Sequence, residues 1–322
     1  MNIFITGSAG FIGRQLCKAL VDLNHQVTGF DTNLSGKTKK NNVIKGDILD
    51  YEHLTESIPS DTDLIIHLAA EHKDEGPSVK DYFRVNELGT SHITKAAIEN
   101  HVKKILFFST VGVYGEQICA DEKSQLKPIN PYGESKVAAE KIILNWSNES
   151  AGRSGLIVRP TAVYGPDNRA NIYRLIKQAS TGMFIMPGDG KHHKSVVYVE
   201  NVVASCLFLL DHFSPGISQF NLVDEPSIPL NELVAIIRSS SGKSRSVIHV
   251  PLLLLKCLLP IYGILQLMKK RSRSLSFSRL DKFGSSSQFD GQKIRNLGFK
   301  QPASTEDGIR KTIEWNRKHG WD

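Results

Sequence analysis

Asn2-Ile3-Phe4-Ile5-Thr6-Gly7-Ser8-Ala9-Gly10-Phe11-Ile12-Gly13 reads as an apolar strand running straight into a glycine-rich turn. Behind it, Leu16, Ala19, Leu20 and Leu23 recur at helical spacing, so the turn joins a strand to a helix. That context gives the three glycines their meaning. Gly7 permits a tight turn, Gly10 lets the backbone approach a pyrophosphate, and Gly13 allows close packing of helix on strand. Free amides at the helix start, around Phe11 and Ile12, face phosphate charge. The stretch is therefore read as a dinucleotide-binding unit. Asp31 closes the second strand within reach of the adenosine ribose hydroxyls, where its charge repels a 2′-phosphate and favours NAD over NADP. Lys37, Lys39 and Lys40 follow closely and keep an acceptor for that phosphate in play.

Working outward, strand-like runs recur at residues 3–6, 26–30, 42–45, 64–67, 105–109 and 155–159, separated by helical stretches that include 79–100 and 131–146. This alternation predicts an α/β fold, a doubly wound parallel sheet of Rossmann type with six strands. After Pro160 the elements shorten: a helix over 173–181, a strand over 195–199, and helices over 202–211 and 230–239. The expected organisation is a nucleotide-binding domain over 1–165 and a smaller C-terminal substrate lobe over 166–322, partly interwoven with the first.

Composition narrows the partners without naming a function. At 40% hydrophobic and 23% charged the chain is ordinary, and 322 residues suffice to bury a full core. Forty basic against 33 acidic residues leave a charge of +7, which suits nucleic acid, anionic lipid or a phosphorylated small molecule. Much of the excess sits at Lys269, Lys270, Arg271, Arg273 and the C-terminal segment, a pattern unlike a nucleic-acid stripe. Cys17, Cys119, Cys206 and Cys257 lie far apart, which suggests neither a zinc site nor a disulfide framework and fits a reducing cytosol. No other metal-ligand set is expected. The start lacks the basic and long apolar regions of a signal peptide, so the mature chain is expected to begin there.

Tyr132 and Lys136 are spaced i, i+4 on an expected helix and project from one face. A nearby ammonium favours the phenolate and lets a tyrosine work as a general base. The spacing alone is common in surface helices; the glycine turn makes it a candidate reaction centre.

Taken in order, the Gly7–Gly13 turn, Asp31, Gly46-Asp47-Ile48, His67-Leu68-Ala69-Ala70, Asn86 with Gly89-Thr90, Ser109-Thr110 before Val113-Tyr114-Gly115, Asn130-Pro131-Tyr132-Gly133-Glu134-Ser135-Lys136, Arg159-Pro160 before Val163-Tyr164-Gly165-Pro166, and the Trp315 region form a recognisable series. Over nearly its whole length the chain resembles the extended short-chain dehydrogenase/reductase family, in its sugar epimerase and dehydratase branch. The resemblance implies that Thr110 hydrogen-bonds the reacting sugar oxygen, Tyr132 is the acid/base, and Lys136 holds the nicotinamide ribose and tunes Tyr132. It implies a cofactor site of Gly7, Gly10, Phe11, Ile12, Gly13, Asp31, Asp47, Ile48, Leu68, Ala69, Ala70, Asn86, Ser109, Tyr132, Lys136 and Pro160.

Dehydratases of the branch follow the residue matching Thr110 with an Asp-Glu pair that carries protons during elimination; Val111 and Gly112 stand here. The resemblance therefore implies 4-epimerisation of a diphosphate-linked N-acetylhexosamine, in cell-surface polysaccharide synthesis. A 4-keto-sugar reductase using external reduced cofactor is the nearest alternative, and a non-catalytic dinucleotide-sensing regulator is one from another class. Ala162 replaces an asparagine that contacts the substrate diphosphate in many relatives, and Lys194-Ser195 replaces an Arg-Asp pair. Asn171 and Lys194 are the candidate substrate ligands. Residues 168–177 and 182–198 resemble a membrane-associated subgroup that acts on polyprenyl-diphosphate N-acetylglucosamine. The leucine-rich stretch 247–268 is interrupted by Pro251, Lys256, Pro260 and Gly263 and followed by the basic cluster, so 247–273 is expected to lie along the cytoplasmic membrane face and contact anionic lipid. A helix buried in the substrate lobe is the alternative. The carrier of the sugar is expected to be undecaprenyl diphosphate or UDP, and a homodimer is compatible with the family.

Overall fold

A computed structural model describes residues 1–34, 42–73, 76–181, 184–243, 247–251, 253–254 and 287–321. The chain divides into two compact units. The first comprises Met1–Val163, Val197–Asp224 and Phe289–Ala303; the second comprises Tyr164–Val196, Glu225–Gln288 and Ser304–Asp322.

In the first unit, β1 (Asn2–Thr6), β2 (Gln26–Asp31), β3 (Asn42–Lys45), β4 (Leu64–His67), β5 (Lys104–Phe108) and β6 (Ser154–Pro160) are the six expected strands. They lie in the order β6-β5-β4-β1-β2-β3, every pair parallel. The connections include α1 (Phe11–Asp22), α2 (Tyr51–Ser57), α3 (Val79–Tyr82), α4 (Gly89–Glu99) and α5 (Pro131–Asn148). Strand order reverses between β1 and β4, the place in such sheets where a crevice opens at the carboxyl ends. Alternate residues feed two cores. Ile3, Ile5, Leu64, Ile66, Leu106, Phe108, Leu156 and Val158 face one, with Leu16 and Leu20 of α1. Phe4, Ile65, Ile105, Phe107 and Ile157 face the other, with Ile93, Ala97, Ile143 and Trp146 of α4 and α5. Covering both faces explains why β4 and β6 are buried at every residue.

Three features depart from the sequence expectation. A seventh strand, Gly216–Leu222, pairs parallel with β6 at the sheet edge. Its first four residues are only half-buried and include Ser218 and Gln219, so it lacks the apolar run that marked the others. The helix expected over 79–100 is broken: after α3, residues Phe83–Leu88 form a π-helical turn before α4 begins. Helix α2 was not anticipated, although Asp50 accepts from the amide of His53 at 3.2 Å as an N-cap.

The second unit contains the helices Asn171–Thr181, Leu230–Ser240 and Thr305–His319, with the parallel pair Ile185–Pro187 and Ile248–Val250. The hydroxyls of Ser241 and Ser180 are hydrogen-bonded at 2.8 Å and Arg317 donates to the carbonyl of Ser241 at 2.7 Å, joining its three helical regions. Of the expected surface segment, residues 247–251 and 253–254 are described; its remainder, with Cys257, Lys269, Lys270, Arg271 and Arg273, lies outside the described residues, as do Lys37, Lys39 and Lys40. Among the described residues no helix is long and apolar enough to cross a membrane. Cys17, Cys119 and Cys206 are free thiols. Burial pushes Cys17 up to about 12, which keeps it an unreactive packing residue.

Phe220 anchors the edge strand in the first core at 3% exposure. Phe220→Ala is expected to lower unfolding free energy by about 3–5 kcal/mol, read from a urea titration.

Candidate active site

The chain leaves β1 at Gly7 in the left-handed region, φ +71°. The amide of Gly10 then donates to the carbonyl of Gly7 at 3.1 Å, and Gly10 caps α1 without a side chain. A Cβ on Gly13 would lie 2.2 Å from the carbonyl oxygen of Gly7, and one on Gly7 would lie 2.6 Å from the amide nitrogen of Ala69. Around Gly10, by contrast, only the Gly7 oxygen comes within 4 Å, so that side of the turn is open. Asp31 braces the turn: Oδ2 accepts from Ala9 at 2.9 Å and Oδ1 from Asn33 at 2.8 Å. Phe11 is half-buried beside the turn and Ile12 packs against the first core. Asp47 is exposed and accepts from Leu49, whereas Ile48 is buried against Gly89, its carbonyl accepting from His92 at 2.9 Å.

At the end of β4, His67 is buried between two hydroxyls. Thr90 donates to the carbonyl of Asn86, so it accepts from Nε2 of His67, at 3.1 Å. Thr6 therefore donates to Nδ1, at 2.7 Å. Burial first, and the charge of Lys136 second, lower His67 to about 3, so the ring is neutral. The chain continues through half-buried Leu68, Ala69 and Ala70. Asn86, on the π-helical turn, is 1% exposed. Its Oδ1 accepts from Glu71 at 2.8 Å, and its two amide hydrogens go to the carbonyl of Glu71 and to Ser135 at 3.0 and 2.9 Å. The side chain expected against the cofactor thus has both donors engaged by protein groups.

Asn130 caps α5 by accepting from Gly133 at 2.8 Å, with Pro131 in the first turn. Tyr132 is half-buried, its ring centroid 6.1 Å from that of Tyr82. Tyr82 in turn bonds the carbonyl of Lys73. Lys136 is 2% exposed, with Nζ 4.2 Å above the ring of Phe107. Burial pulls its pKa down to about 7 against the opposing charge of Glu140. The helix thus supplies a tyrosine and, one turn on, a cation withdrawn from water.

Thr110 leaves β5 and caps the short 3-10 turn Val111–Tyr114. Its Oγ1 accepts from Gly112 at 3.1 Å, which leaves the hydroxyl hydrogen to donate elsewhere. Val111 is buried with Val113, Tyr114, Ala120 and Phe289. A Cβ on Gly133 would lie 2.8 Å from the carbonyl oxygen of Gly112, so this turn rests directly on the first turn of α5. That contact brings the Thr110 element against the Tyr132 element. Pro160 ends β6 opposite Leu222. Asn171 and Lys194 belong to the second unit. Asn171 is exposed at the start of its helix, and Lys194 is half-buried in a backbone bridge with Ser287.

Sequence reasoning passed over a buried network beside the site. Arg159 donates through Nε and Nη2 to both oxygens of Glu140 at 2.9 and 2.6 Å, and through Nη1 to the hydroxyl of Tyr114 at 2.7 Å. Tyr114 donates to Asn221 at 2.8 Å. The signal was an arginine inside an apolar strand, which demands a buried partner.

The site suits a dinucleotide on its own terms. The turn is open at Gly10, the Oγ of Ser109 is buried with no hydrogen-bond partner, and Lys136 offers a cation in a dry setting. Residues 3–222 match the model of the NAD dependent epimerase/dehydratase family. The chain belongs to that family. It is an NAD-dependent enzyme of the extended short-chain dehydrogenase/reductase type. The chain is 33% identical over 321 residues to N-acetyl-alpha-D-glucosaminyl-diphospho-ditrans,octacis-undecaprenol 4-epimerase of Escherichia coli O157:H7, covering 99% of this chain and 96% of that one. In fold it is similar to the UDP-glucose 4-epimerase of Thermotoga maritima solved with UDP-glucose, with TM-score 0.79, 24% identity and 99% of each chain covered. MoeE5 in complex with UDP-glucuronic acid and NAD gives TM-score 0.77 at 23% identity, over 99% of this chain and 100% of that one.

Two outcomes follow from the family's cofactor and this geometry. Gly13→Ala drives a methyl into backbone and is expected to weaken NAD binding by about 100-fold or more, measured by calorimetric titration. Lys136→Met should abolish turnover yet stabilise the protein by about 1–4 kcal/mol, since a buried charge is replaced by an apolar chain. Folded Lys136 binds its proton less tightly than the unfolded chain does, so this gain is full below about pH 7 and shrinks as pH rises towards the ordinary lysine range. Melting curves across that range check the sign.

Proposed function

We propose that the enzyme is a 4-epimerase of a diphosphate-linked N-acetylhexosamine, carried on undecaprenyl diphosphate or on UDP, working through a transient 4-keto sugar in cell-surface polysaccharide biosynthesis. The observation that carries the reading is the pairing of the Thr110 turn with the Tyr132–Lys136 face, next to a turn whose other residues offer no acid or base. The E. coli relative, an undecaprenol-linked 4-epimerase by name, supports the lipid carrier.

Gly7, Gly10, Phe11, Ile12, Gly13 and Asp31 would hold the adenosine and diphosphate end of NAD, and Ala69, Ala70, Ser109, Lys136 and Pro160 its nicotinamide end. Bound there, NAD supplies an acceptor and then a donor of hydride for C4 of the sugar. Tyr132 takes the proton from the C4 hydroxyl on its phenolate oxygen and returns it when the ketone is reduced. The ammonium of Lys136 favours that phenolate. Thr110, its oxygen already occupied by Gly112, donates to the reacting oxygen. Reduction on the opposite face, after the 4-keto sugar turns over, yields the epimer. No proton carrier for elimination is required. Asn171 and Lys194 are proposed to meet the sugar and diphosphate. We also place the protein at the cytoplasmic membrane face, on the strength of the leucine-rich and basic composition of 247–273.

Purified protein without added cofactor is expected to convert polyprenyl-diphosphate N-acetylglucosamine to its C4 epimer, identified by NMR. Tyr132→Phe should lower kcat by about 10²–10⁴-fold while still binding NAD. Stoichiometric consumption of added reduced cofactor would make the enzyme a reductase, and full activity of Tyr132→Phe would make it a regulator. Turnover of UDP-N-acetylglucosamine alone removes the lipid carrier. Vesicle flotation unchanged by neutralising Lys269, Lys270, Arg271 and Arg273 removes the electrostatic anchor.

A further inference from the structure

The reacting groups sit on separate elements: Thr110 opens the turn after β5, while Tyr132 and Lys136 ride on α5. The backbone contact of Gly112 with Gly133 limits how closely those elements approach. Val137 of α5 also packs against the apolar cluster of this turn, and the carbonyl of Val113 accepts from the amide of Lys127 at 2.9 Å, contacts that hold the elements together without fixing their angle. A directional restraint comes from further along the same face of α5. Glu140 lies one turn beyond Lys136 and two beyond Tyr132, and its carboxylate is gripped at both oxygens by Arg159 of β6. The remaining arm of the guanidinium reaches the hydroxyl of Tyr114, the last residue of the turn that Thr110 begins. Tyr114 passes its own hydrogen to Asn221 of the edge strand, and Asn221 donates to the carbonyl of Asp290 at 2.9 Å. Arg159 and Glu140 are 1% and 4% exposed, and Tyr114 and Asn221 are fully buried.

A buried ion pair is a poor device for stability alone, because apolar residues of the same volume do as well or better. What the arrangement adds is direction. A planar guanidinium with three arms engaged fixes two elements at set angles, which neither a lysine nor an apolar contact does. We propose that Arg159, with Glu140 and Tyr114, is a positioning device that sets the hydroxyl of Thr110 against the Tyr132–Lys136 face. This rests on the reading of those three residues as the reaction centre.

Tyr114→Phe tests it with the smallest change. The ring remains against Phe289, at a centroid distance of 6.0 Å, and only the oxygen joining Arg159 to Asn221 is lost. With the epimerase substrate, kcat is expected to fall about 10- to 100-fold, as an ångström of misplacement does, while KM and the NAD dissociation constant stay within about twofold. In a Thr110→Ala background the same change should alter kcat by less than about threefold, because the group being positioned is gone. Arg159→Lys keeps the charge but cannot hold Glu140 and Tyr114 together, and should show the same kcat-only loss. The proposal is overturned if either folded variant keeps parental kcat, if Tyr114→Phe lowers kcat equally with and without Thr110, or if NAD affinity falls in step with kcat. Unchanged turnover in Tyr132→Phe would instead remove the reaction centre itself, an outcome read independently of the relay.

Discussion

Where the turn after β1 meets α1 and the segment leaving β4, Gly7 and Gly13 leave no room for a side chain. Gly13 lies backbone to backbone against Gly7, and Gly7 against the segment leaving β4. This closeness presses the start of α1 onto the place where strand order reverses, so unpaired helix amides and the ends of two central strands open on one crevice. It also lets Thr6 reach His67 across the strands, and His67 reach Thr90 of α4. Because all the strands are parallel, each delivers its last residue to the same edge. Gly7 follows β1, Asp31 ends β2, Asp47 follows β3, Ala69 follows β4, Ser109 and Thr110 follow β5, and Pro160 ends β6. A site gathered from positions 7 to 160 is thus a consequence of one packing constraint and one topology.

Two buried cations beside that edge are handled in opposite ways. Arg159 has a carboxylate matched to its fork and a phenol on its third arm. Although burial alone would lower its pKa, the hydrogen bonds and charge of Glu140 and Tyr114 hold it above even the usual guanidinium range. Lys136 rests on an aromatic face, with Glu140 nearby but already committed to Arg159, and its pKa is pulled down. Structural charges are compensated; charges kept for chemistry are held short of compensation. The contrast accords with the proposed roles, Arg159 organising the site and Lys136 answering a charge that appears within it. His67, neutral between two hydroxyls, adds no competing charge.

How far the sequence could be read follows from what each feature depends on. Strands β1, β4, β5 and β6 announced themselves because both faces are covered and their centres are apolar, whereas the shorter apolar stretches of β2 and β3 stood out by their place in the alternation with helices. The edge strand Gly216–Leu222 is covered less fully and is separated from β6 by a stretch that contributes to the other unit, so neither pattern nor proximity marked it. The break at Phe83–Leu88 leaves the spacing of apolar residues nearly helical and is visible only in hydrogen bonds. Tyr132, Lys136 and Thr110 were legible as motif positions. The two donors of Asn86, both turned toward protein, were not, since the donor count of an amide depends on neighbours 15 and 49 residues away. The relay through Arg159 escaped for the same reason: its partners lie 19 and 45 residues distant.

The turn after β5 ties these threads to the chemistry. Of its side chains, Val111 and Val113 are buried in an apolar cluster, Gly112 is backbone against α5, and the hydroxyl of Tyr114 is turned inward to Arg159 and Asn221. Thr110 alone keeps a polar group half-exposed, with its acceptor side used and its hydrogen uncommitted. A turn built this way can stabilise charge on one oxygen but cannot both take a proton from a carbon and give one to the departing hydroxyl, as elimination of water demands. Reversible oxidation at a single carbinol carbon requires one acid/base and one oxygen-directed donor, the roles proposed for Tyr132 and Thr110. The narrowness of the chemistry therefore lies less in the residues the site contains than in the apolar and inward-facing ones that surround Thr110.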